Sequence, residues 1–254
     1  MHPTDAPTSS AVRGTGIVGA IPARYASTRL PGKPLLPIAG RPMIEHVYER
    51  VARARGLDRV VVLTDDERIA RAVAAFGGAC EMTPPECASG TDRIAWAARQ
   101  WDAAAVVNIQ GDEPLIDPDA VSALARHLAD HPGDPLVTLA ADARPDELDN
   151  PNAVKVVLSL AGYALYFSRS RIPFPRQEEG FRPLKHIGIY GYQREALLRL
   201  AGLAPTPLER SESLEQLRAL ENGIPIRVLR VAQSSPGVDT QEDLERVERL
   251  LRGD

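Results

Sequence analysis

Three cations, Arg24, Arg29 and Lys33, fall within the segment Ala23-Arg24-Tyr25-Ala26-Ser27-Thr28-Arg29-Leu30-Pro31-Gly32-Lys33-Pro34-Leu35. Ser27 and Thr28 add two hydroxyls, and Gly32 lets a backbone or ligand approach closely. Cations in such a cluster can neutralise a polyanion, for example a triphosphate. No G-x-x-x-x-G-K-[ST] run occurs in the chain, so this is not a Walker loop. A solvated basic loop would have the same composition. A second candidate is Gln110-Gly111-Asp112-Glu113-Pro114, which follows a predicted strand. A carboxylate at a strand's C-terminal end suits a hard cation such as Mg²⁺, which takes one or two carboxylates plus phosphate oxygens. A turn with aspartate as a local cap is the alternative. Pro236-Gly237-Val238-Asp239-Thr240 offers another carboxylate, although Thr240 and Asp243 also spell a capping box. His186, Gly188 and Tyr190 share one face of a predicted strand, where packed polar residues are the commoner outcome. Glu212, Glu215 and Gln216 read as a solvated helix face. Cys80 and Cys87 lack a helix start or a histidine and read as inert.

Positioning such groups requires a framework, and the apolar pattern supplies one. Gly16 to Ile21, Val60 to Leu63 and Ala104 to Ile109 read as strands, the second wholly aliphatic as in a strand buried on both faces. Helical patterns start at Pro42 and end near Gly56, then run over Asp66–Phe76, Thr91–Trp101 and Pro118–His131. Repeated strand–helix units imply a mostly parallel sheet with helices on both faces. In such a sheet ligands bind beyond the carboxyl ends of the strands, where both candidate loops sit. After Asn150 the rhythm changes: Ala153–Ser159, Tyr163–Ser168 and His186–Tyr192 read as strands joined by turns. That stretch predicts a hairpin-rich insert or sheet edge, suited to subunit contacts. A helix over Leu208–Glu221, a strand over Ile224–Val231 and a helix over Gln241–Leu251 complete the pattern. The expectation is one domain over residues 16–252, with an insert at about 151–192 and a disordered tail over residues 1–15.

The 254 residues carry a net charge of −4, which argues against a general nucleic-acid binder. Only Lys33, Lys155 and Lys185 are lysines, against an abundance of arginine. Two cysteines make no disulfide framework, and no apolar run reaches the roughly 18 residues that span a bilayer. The opening residues lack the apolar core of a secretory signal, so a cytoplasmic location is expected.

Taken in order, the motifs closely resemble the 3-deoxy-manno-octulosonate (Kdo) cytidylyltransferase family. The resemblance rests on residues 22–35, on Ser89-Gly90-Thr91-Asp92-Arg93, on Gln110–Pro114 and on Pro151-Asn152-Ala153-Val154-Lys155-Val156-Val157. It continues through Tyr163–Arg169, His186–Tyr192, Leu214–Arg218 and Gly237–Thr240, and covers roughly residues 16–250. It implies a three-layer αβα nucleotidyltransferase fold with a mostly parallel, mixed sheet, a homodimer, and Mg²⁺ as cofactor. The implied reaction joins CTP and Kdo into CMP-Kdo and pyrophosphate for lipopolysaccharide assembly. By the same resemblance Arg24 and Lys33 hold the triphosphate, while Ala23, Ser89, Gly90, Thr91 and Arg93 frame the nucleotide. Asp112 and Asp239 hold the metal and, with Lys33 and Arg24, form the catalytic set. Gln110, Arg169, Arg176, His186, Tyr190, Glu215 and Gln216 line the sugar-acid pocket. The stretch Gln177–Lys185 is shorter than in many members and is expected to form a flap that bears on selectivity for the sugar tail. Rival readings are a cytidylyltransferase for 8-amino-Kdo or a sialic acid, and a non-catalytic CTP-binding protein.

Overall fold

The computed structural model describes residues 16–26, 30–177, 181–233 and 235–253. The expected N-terminal tail, Ser27, Thr28, Arg29 and the middle of the expected flap, residues 178–180, lie outside the described residues.

The chain runs β1 (Gly16–Pro22), a ribbon of β2 (Pro37–Ile38) and β3 (Arg41–Pro42), α1 (Met43–Ala52), β4 (Arg59–Thr64), α2 (Glu67–Ala75) and β5 (Cys80–Met82). It continues with α3 (Gly90–Ala98), β6 (Ala103–Asn108), α4 (Pro118–Asp130), β7 (Leu136–Asp142), β8 (Lys155–Leu158), β9 (Ala164–Ser168) and β10 (Leu184–Gln193). Last come α5 (Arg194–Ala201), α6 (Pro207–Glu212), α7 (Gln216–Glu221), β11 (Ile226–Arg230) and α8 (Gln241–Arg252). Among the described residues no helix is long and apolar enough to cross a membrane.

The main sheet has the order β11-β7-β10-β6-β1-β4-β5, with the β8–β9 hairpin attached through β10. β1 pairs in parallel with β4 and β6, and β7 with β11, whereas β10 runs antiparallel to both β6 and β7. Alternation along β1 shows how the layers form: Val18 and Ala20 enter one core, Ile17 and Ile21 the other. The first core is closed by α3, α5 and α7 through Ile94, Leu197 and Leu217. The second is closed by α1, α2 and α4 through Val47, Ile69 and Leu124. Each fully buried aliphatic side chain stabilises this three-layer arrangement by roughly 1.5–3 kcal/mol. A small third cluster packs Val238, Leu244 and Val247 on Ile38 and Met43, fastening α8 beside the β2–β3 ribbon.

Three expectations need correction. The stretch taken as an insert contributes β10 to the middle of the main sheet, so only the β8–β9 hairpin stands apart. β7 and α5, which received no assignment, are a central strand and a core-covering helix. The helix expected over Leu208–Glu221 is two short helices, broken where Ser213 adopts a left-handed conformation at φ 51°. There the Leu214 amide donates to the Glu209 carbonyl, and Leu214 turns into the core.

Candidate active site

The carboxyl ends of β1 and β6 open onto a cavity of about 620 Å³ lined by Ala23, Arg24, Lys33, Ser89, Arg93 and Asp112, among others. Two glycines make its walls fit. Gly32 sits at φ +69° with its Cα against the Tyr25 ring, where a Cβ would come within 3.0 Å of that ring. At Gly111 a Cβ would stand 3.1 Å from the Pro22 carbonyl, so only glycine lets the end of β6 turn this close to β1. Between these turns Lys33 projects its ammonium to Asp112 Oδ2 (2.6 Å), to Asp239 Oδ1 (3.2 Å) and to the Val238 carbonyl (2.7 Å). The two aspartates, far apart in sequence, therefore meet on one cation. Their loops are joined directly as well, because the Val238 amide donates to the Asp112 carbonyl at 2.9 Å. The capping box of Thr240 and Asp243 also forms, so one turn both starts α8 and presents Asp239.

Opposite this ion pair Ser89 caps α3 in a capping box with Asp92 and leaves the helix N-terminus facing the cavity. Arg93, almost fully buried, is held by the Thr83 hydroxyl and by Asp65 at 3.3 Å. Arg24 stands exposed at the rim. Three cations lining an open cavity, Arg24, Lys33 and Arg93, suit a polyanion, and a helix N-terminus favours the same ligand.

A second cavity, about 140 Å³, adjoins the first through Gly90 and Gln110. Among the described residues no lysine or arginine lines it. Its walls are Thr91, Asn108, Tyr190, Tyr192, Glu215 and Gln216 with a few neighbours. Gln110 Nε2 donates to the Gly188 carbonyl (3.2 Å), where β10 departs from regular pairing. Glu215 accepts from the hydroxyls of Thr91 (2.5 Å) and Ser89 (3.3 Å). Burial raises the Glu215 carboxyl above its ordinary range, opposed by the Thr91 hydroxyl and by the nearby Arg218 guanidinium. Arg218 itself makes a two-pronged buried ion pair with Glu209, which locks α7 to α6 and aims Glu215 inward.

A sequence model of the family described as "Cytidylyltransferase" matches residues 18–228. A 3-deoxy-manno-octulosonate cytidylyltransferase of Syntrophotalea carbinolica is 51% identical, over 93% of this chain and 99% of its own. The chain belongs to this family. An 8-amino-3,8-dideoxy-manno-octulosonate cytidylyltransferase of Shewanella baltica is 49% identical, over 92% of this chain and 98% of its own. A solved structure described as CMP:2-keto-3-deoxy-manno-octonic acid synthetase complexed with CTP superposes with a TM-score of 0.91 at 47% identity, covering 94% of this chain and 99% of that one. The resemblance in the motifs and the three-layer fold are thereby borne out, and the chain is a nucleotidyltransferase.

For a member of that family, the structure divides the residues singled out in the sequence into two groups. Ala23, Arg24, Lys33, Ser89, Gly90, Arg93, Gln110, Asp112 and Asp239 surround the large cavity, and Thr91, Tyr190, Glu215 and Gln216 the small one. Three residues expected at the sugar acid lie outside both. Arg169 spends its guanidinium on the carbonyls of Glu212 (2.6 Å), Pro151 (3.0 Å) and Ser213 (3.2 Å), tying the hairpin to the break after α6. Arg176 is exposed and lines neither cavity. His186 is buried behind Tyr190, ring centroids 5.3 Å apart, with Nε2 3.0 Å from Thr138 Oγ1. The Thr138 hydroxyl also lies within hydrogen-bonding distance of the Ile187 (3.2 Å) and Ile189 (2.8 Å) carbonyls. Burial lowers the His186 pKa to about 3, leaving the ring neutral.

Neither Glu212 nor Glu215 lies on a solvated helix face, the bland alternative for them, and Glu215 stands where the resemblance implied, at a cavity wall. Glu212 accepts from the Ser168 hydroxyl (2.6 Å) and the Arg169 amide (2.9 Å), and Glu215 faces the small cavity. Asn108, Tyr192 and Cys87 line the cavities without having been singled out for them. Asn108 carried a usable signal, as a polar residue closing the apolar run of β6 two positions before the Gln110 motif. Burial raises both thiols above their ordinary pKa, in keeping with unreactive cysteines.

Proposed function

We propose that this protein transfers the cytidylyl group of CTP to Kdo, giving CMP-Kdo, an activated sugar acid for lipopolysaccharide assembly, and pyrophosphate. The observation that carries the reading is the meeting of Asp112 and Asp239 on the Lys33 ammonium in the wall of the large cationic cavity, which a smaller, hydroxyl-lined cavity adjoins. The large cavity suits the nucleotide and its phosphates, and the small one part of the sugar.

Both reactants are anions, and unit charges about 4 Å apart interact by about 4 kcal/mol at an effective dielectric of 20. Arg24, Lys33 and Arg93 offset that repulsion. Their second task is to stabilise charge that builds on the leaving pyrophosphate. The sugar's 2-hydroxyl oxygen forms the new bond to the α-phosphorus, the bond from that phosphorus to the bridging oxygen breaks, and the hydroxyl proton passes to solvent. The ground for assigning Mg²⁺ is the donor set: two carboxylates and a carbonyl around one cationic centre, all hard oxygens. Asp112 and Asp239 would hold it; when bound it would lower the pKa of the attacking hydroxyl and screen the phosphate charge. Lys33, released from that pairing, would then join Arg24 and Arg93 as a cation for the triphosphate. A CTP substrate supports a cytoplasmic location. A homodimer is supported by Leu165, Phe174 and Phe181, large apolar side chains exposed on and beyond the β8–β9 hairpin.

Pyrophosphate release from CTP, Kdo and Mg²⁺ tests the reading, and each component should be required. No turnover at high protein concentration would leave a CTP-binding protein instead. Because a relative named for the 8-amino sugar is almost as similar, the two sugars should be run in direct competition; preference for the amino sugar would redirect the assignment.

A further inference from the structure

Between α6 and α7 the chain turns on a residue ill suited to the task. Ser213 is exposed and takes the left-handed conformation, at φ 51° and ψ 50°. Such backbone costs energy in a residue with a Cβ, and it persists only where its surroundings fix it. Here the end of β9 fixes it from both sides of the turn. The Glu212 carboxylate accepts from the Ser168 hydroxyl at 2.6 Å and from the Arg169 amide at 2.9 Å. In return the Arg169 guanidinium donates to the Glu212 carbonyl at 2.6 Å and to the Ser213 carbonyl at 3.2 Å. These are the carbonyls of the two peptide groups that flank the Ser213 Cα.

The Glu212 carboxylate is the only side chain of the turn that reaches across this seam. Ser168 is buried, and its oxygen already accepts from the Ser170 amide at 3.0 Å, so its own proton goes to Glu212. Burial pushes the Glu212 carboxyl up, but the Ser168 hydroxyl and the Arg169 amide outweigh it and hold the group below its ordinary range. An ionised acceptor thus receives both donors, the stronger kind of hydrogen bond.

What the turn accomplishes follows from helix geometry. Residues three apart on one helix share a face. Were α6 to continue unbroken, Glu215 would follow Glu212 towards β9. The left-handed residue between them separates the two carboxylates. Glu212 stays on the strand, while Glu215 accepts from Thr91 at 2.5 Å and Ser89 at 3.3 Å in the wall of the small cavity. The Arg218–Glu209 pair holds α7 downstream of Glu215, and the Glu212 seam holds the chain upstream of it.

Resting on the reading of this protein as a Kdo cytidylyltransferase, we propose that Glu212 is a positioning residue for the sugar acid, fixing the left-handed turn that points Glu215 into the small cavity. Glu212 itself lines neither cavity.

The test is steady-state kinetics of Glu212→Ala and Glu212→Gln, alone and combined with Glu215→Gln. Glu212→Ala removes both bonds to β9 and should raise KM for Kdo about tenfold. KM for CTP should stay within about twofold and kcat within about threefold. Glu212→Gln can accept from the Arg169 amide through Oε1 and donate to the Ser168 oxygen through Nε2, so its KM for Kdo should return to within about threefold of wild type. Added to Glu215→Gln, Glu212→Ala should cost almost nothing further, because the carboxylate it aims is already altered. An unchanged KM for Kdo in Glu212→Ala, an equal rise for CTP, no rescue by Glu212→Gln, or penalties that simply add would overturn the positioning role. Should Glu212→Ala fail to fold, Ser168→Ala decides, since it removes only one of the two bonds: a severalfold rise in KM for Kdo alone supports the role, and no rise overturns it. If wild-type protein releases no pyrophosphate with Kdo, the parent reading fails and takes this inference with it; wild-type turnover with an unaffected Glu212→Ala overturns the inference alone.

Discussion

The two cavities sit side by side and solve opposite problems. The large one is walled by ionised groups in partial contact with water: the side chains of Lys33, Asp112 and Asp239 are 15%, 36% and 62% exposed. It is built from the loop after β1, the turn after β6 and the entry to α8, all segments whose side chains can re-pair. The small one is walled mainly by neutral hydroxyls and amides on β6, β10 and α3, packed into the first core. A nucleotide that arrives and leaves with several negative charges needs cations that can exchange partners in a screened setting. A sugar with many hydroxyls needs a fixed pattern of acceptors, because a single misplaced hydrogen bond is costly only where water is excluded. Substitutions on the two sides should therefore fail differently, the first in turnover and CTP use, the second in sugar affinity.

The strongest way to break that contrast is Asp112→Asn. Turnover should fall at least about a hundredfold, with thermal stability nearly unchanged, because the substitution preserves shape and removes one carboxylate of the metal set. Wild-type turnover in this variant would dissolve the ion-centred half of the site. Lys33→Ala comes next. It removes the countercharge common to both aspartates, and kcat/KM for CTP should fall by roughly one to two orders of magnitude through both constants. Kinetics equal to wild type in CTP would return Lys33 to a structural role. Glu215→Gln probes the other side. Altering the carboxyl that accepts from the Thr91 and Ser89 hydroxyls at the small cavity should raise KM for Kdo by about tenfold with little change for CTP, and an effect on CTP instead would merge the two cavities functionally.

How much of this was legible in sequence follows the same division. The loops carrying Arg24, Lys33, Asp112 and Asp239 stand at places that local rules mark well: after an aliphatic strand, beside a glycine, before a capping box. The rule that ligands sit at the carboxyl ends of parallel strands brings the Lys33 and Asp112 loops together, whereas the meeting of Asp239 with them was implied by the family resemblance alone. The small cavity depends on information that is not local. β10 pairs with β6 and β7 about eighty and fifty residues earlier, as in Tyr190 with Asn108 and Tyr190 with Thr138, and no neighbouring residue signals that register. The inward turn of Glu215 depends on Ser213 taking a left-handed conformation without a glycine or asparagine to announce it. Arg169 shows the limit of reading roles from type: a guanidinium suits a carboxylate equally well whether it meets a ligand or three backbone carbonyls. Lys155 is the same lesson, buried with its ammonium on the carbonyls of Asn150, Ala153 and Arg169.

The smallest expected effect concerns His186, which separates support of the small cavity from contact with its ligand. Its ring lies edge-on to Phe167, 5.0 Å between centroids, and against Tyr190, and burial holds its pKa at about 3 against an ordinary value of 6.5. As the pH falls below the ordinary value, the unfolded chain takes up a proton there and the folded protein does not. Stability is therefore complete above about pH 6.5 and declines as the pH drops towards 3. At about pH 5 the loss from this one ring is on the order of 2 kcal/mol, or roughly 4–8 °C in Tm. His186→Gln keeps a hydrogen-bonding amide near Thr138 and has no titrating group, so its Tm should fall less than that of the wild type between pH 7 and pH 5. KM for Kdo at pH 7.5 should change by less than about threefold in this variant, as for a group once removed from the sugar. Parallel Tm curves for the two proteins would show that the ring is not held neutral by burial. A tenfold rise in KM with unchanged stability would place His186 on the ligand itself and erase the distinction drawn here between the cavity wall and the layer behind it.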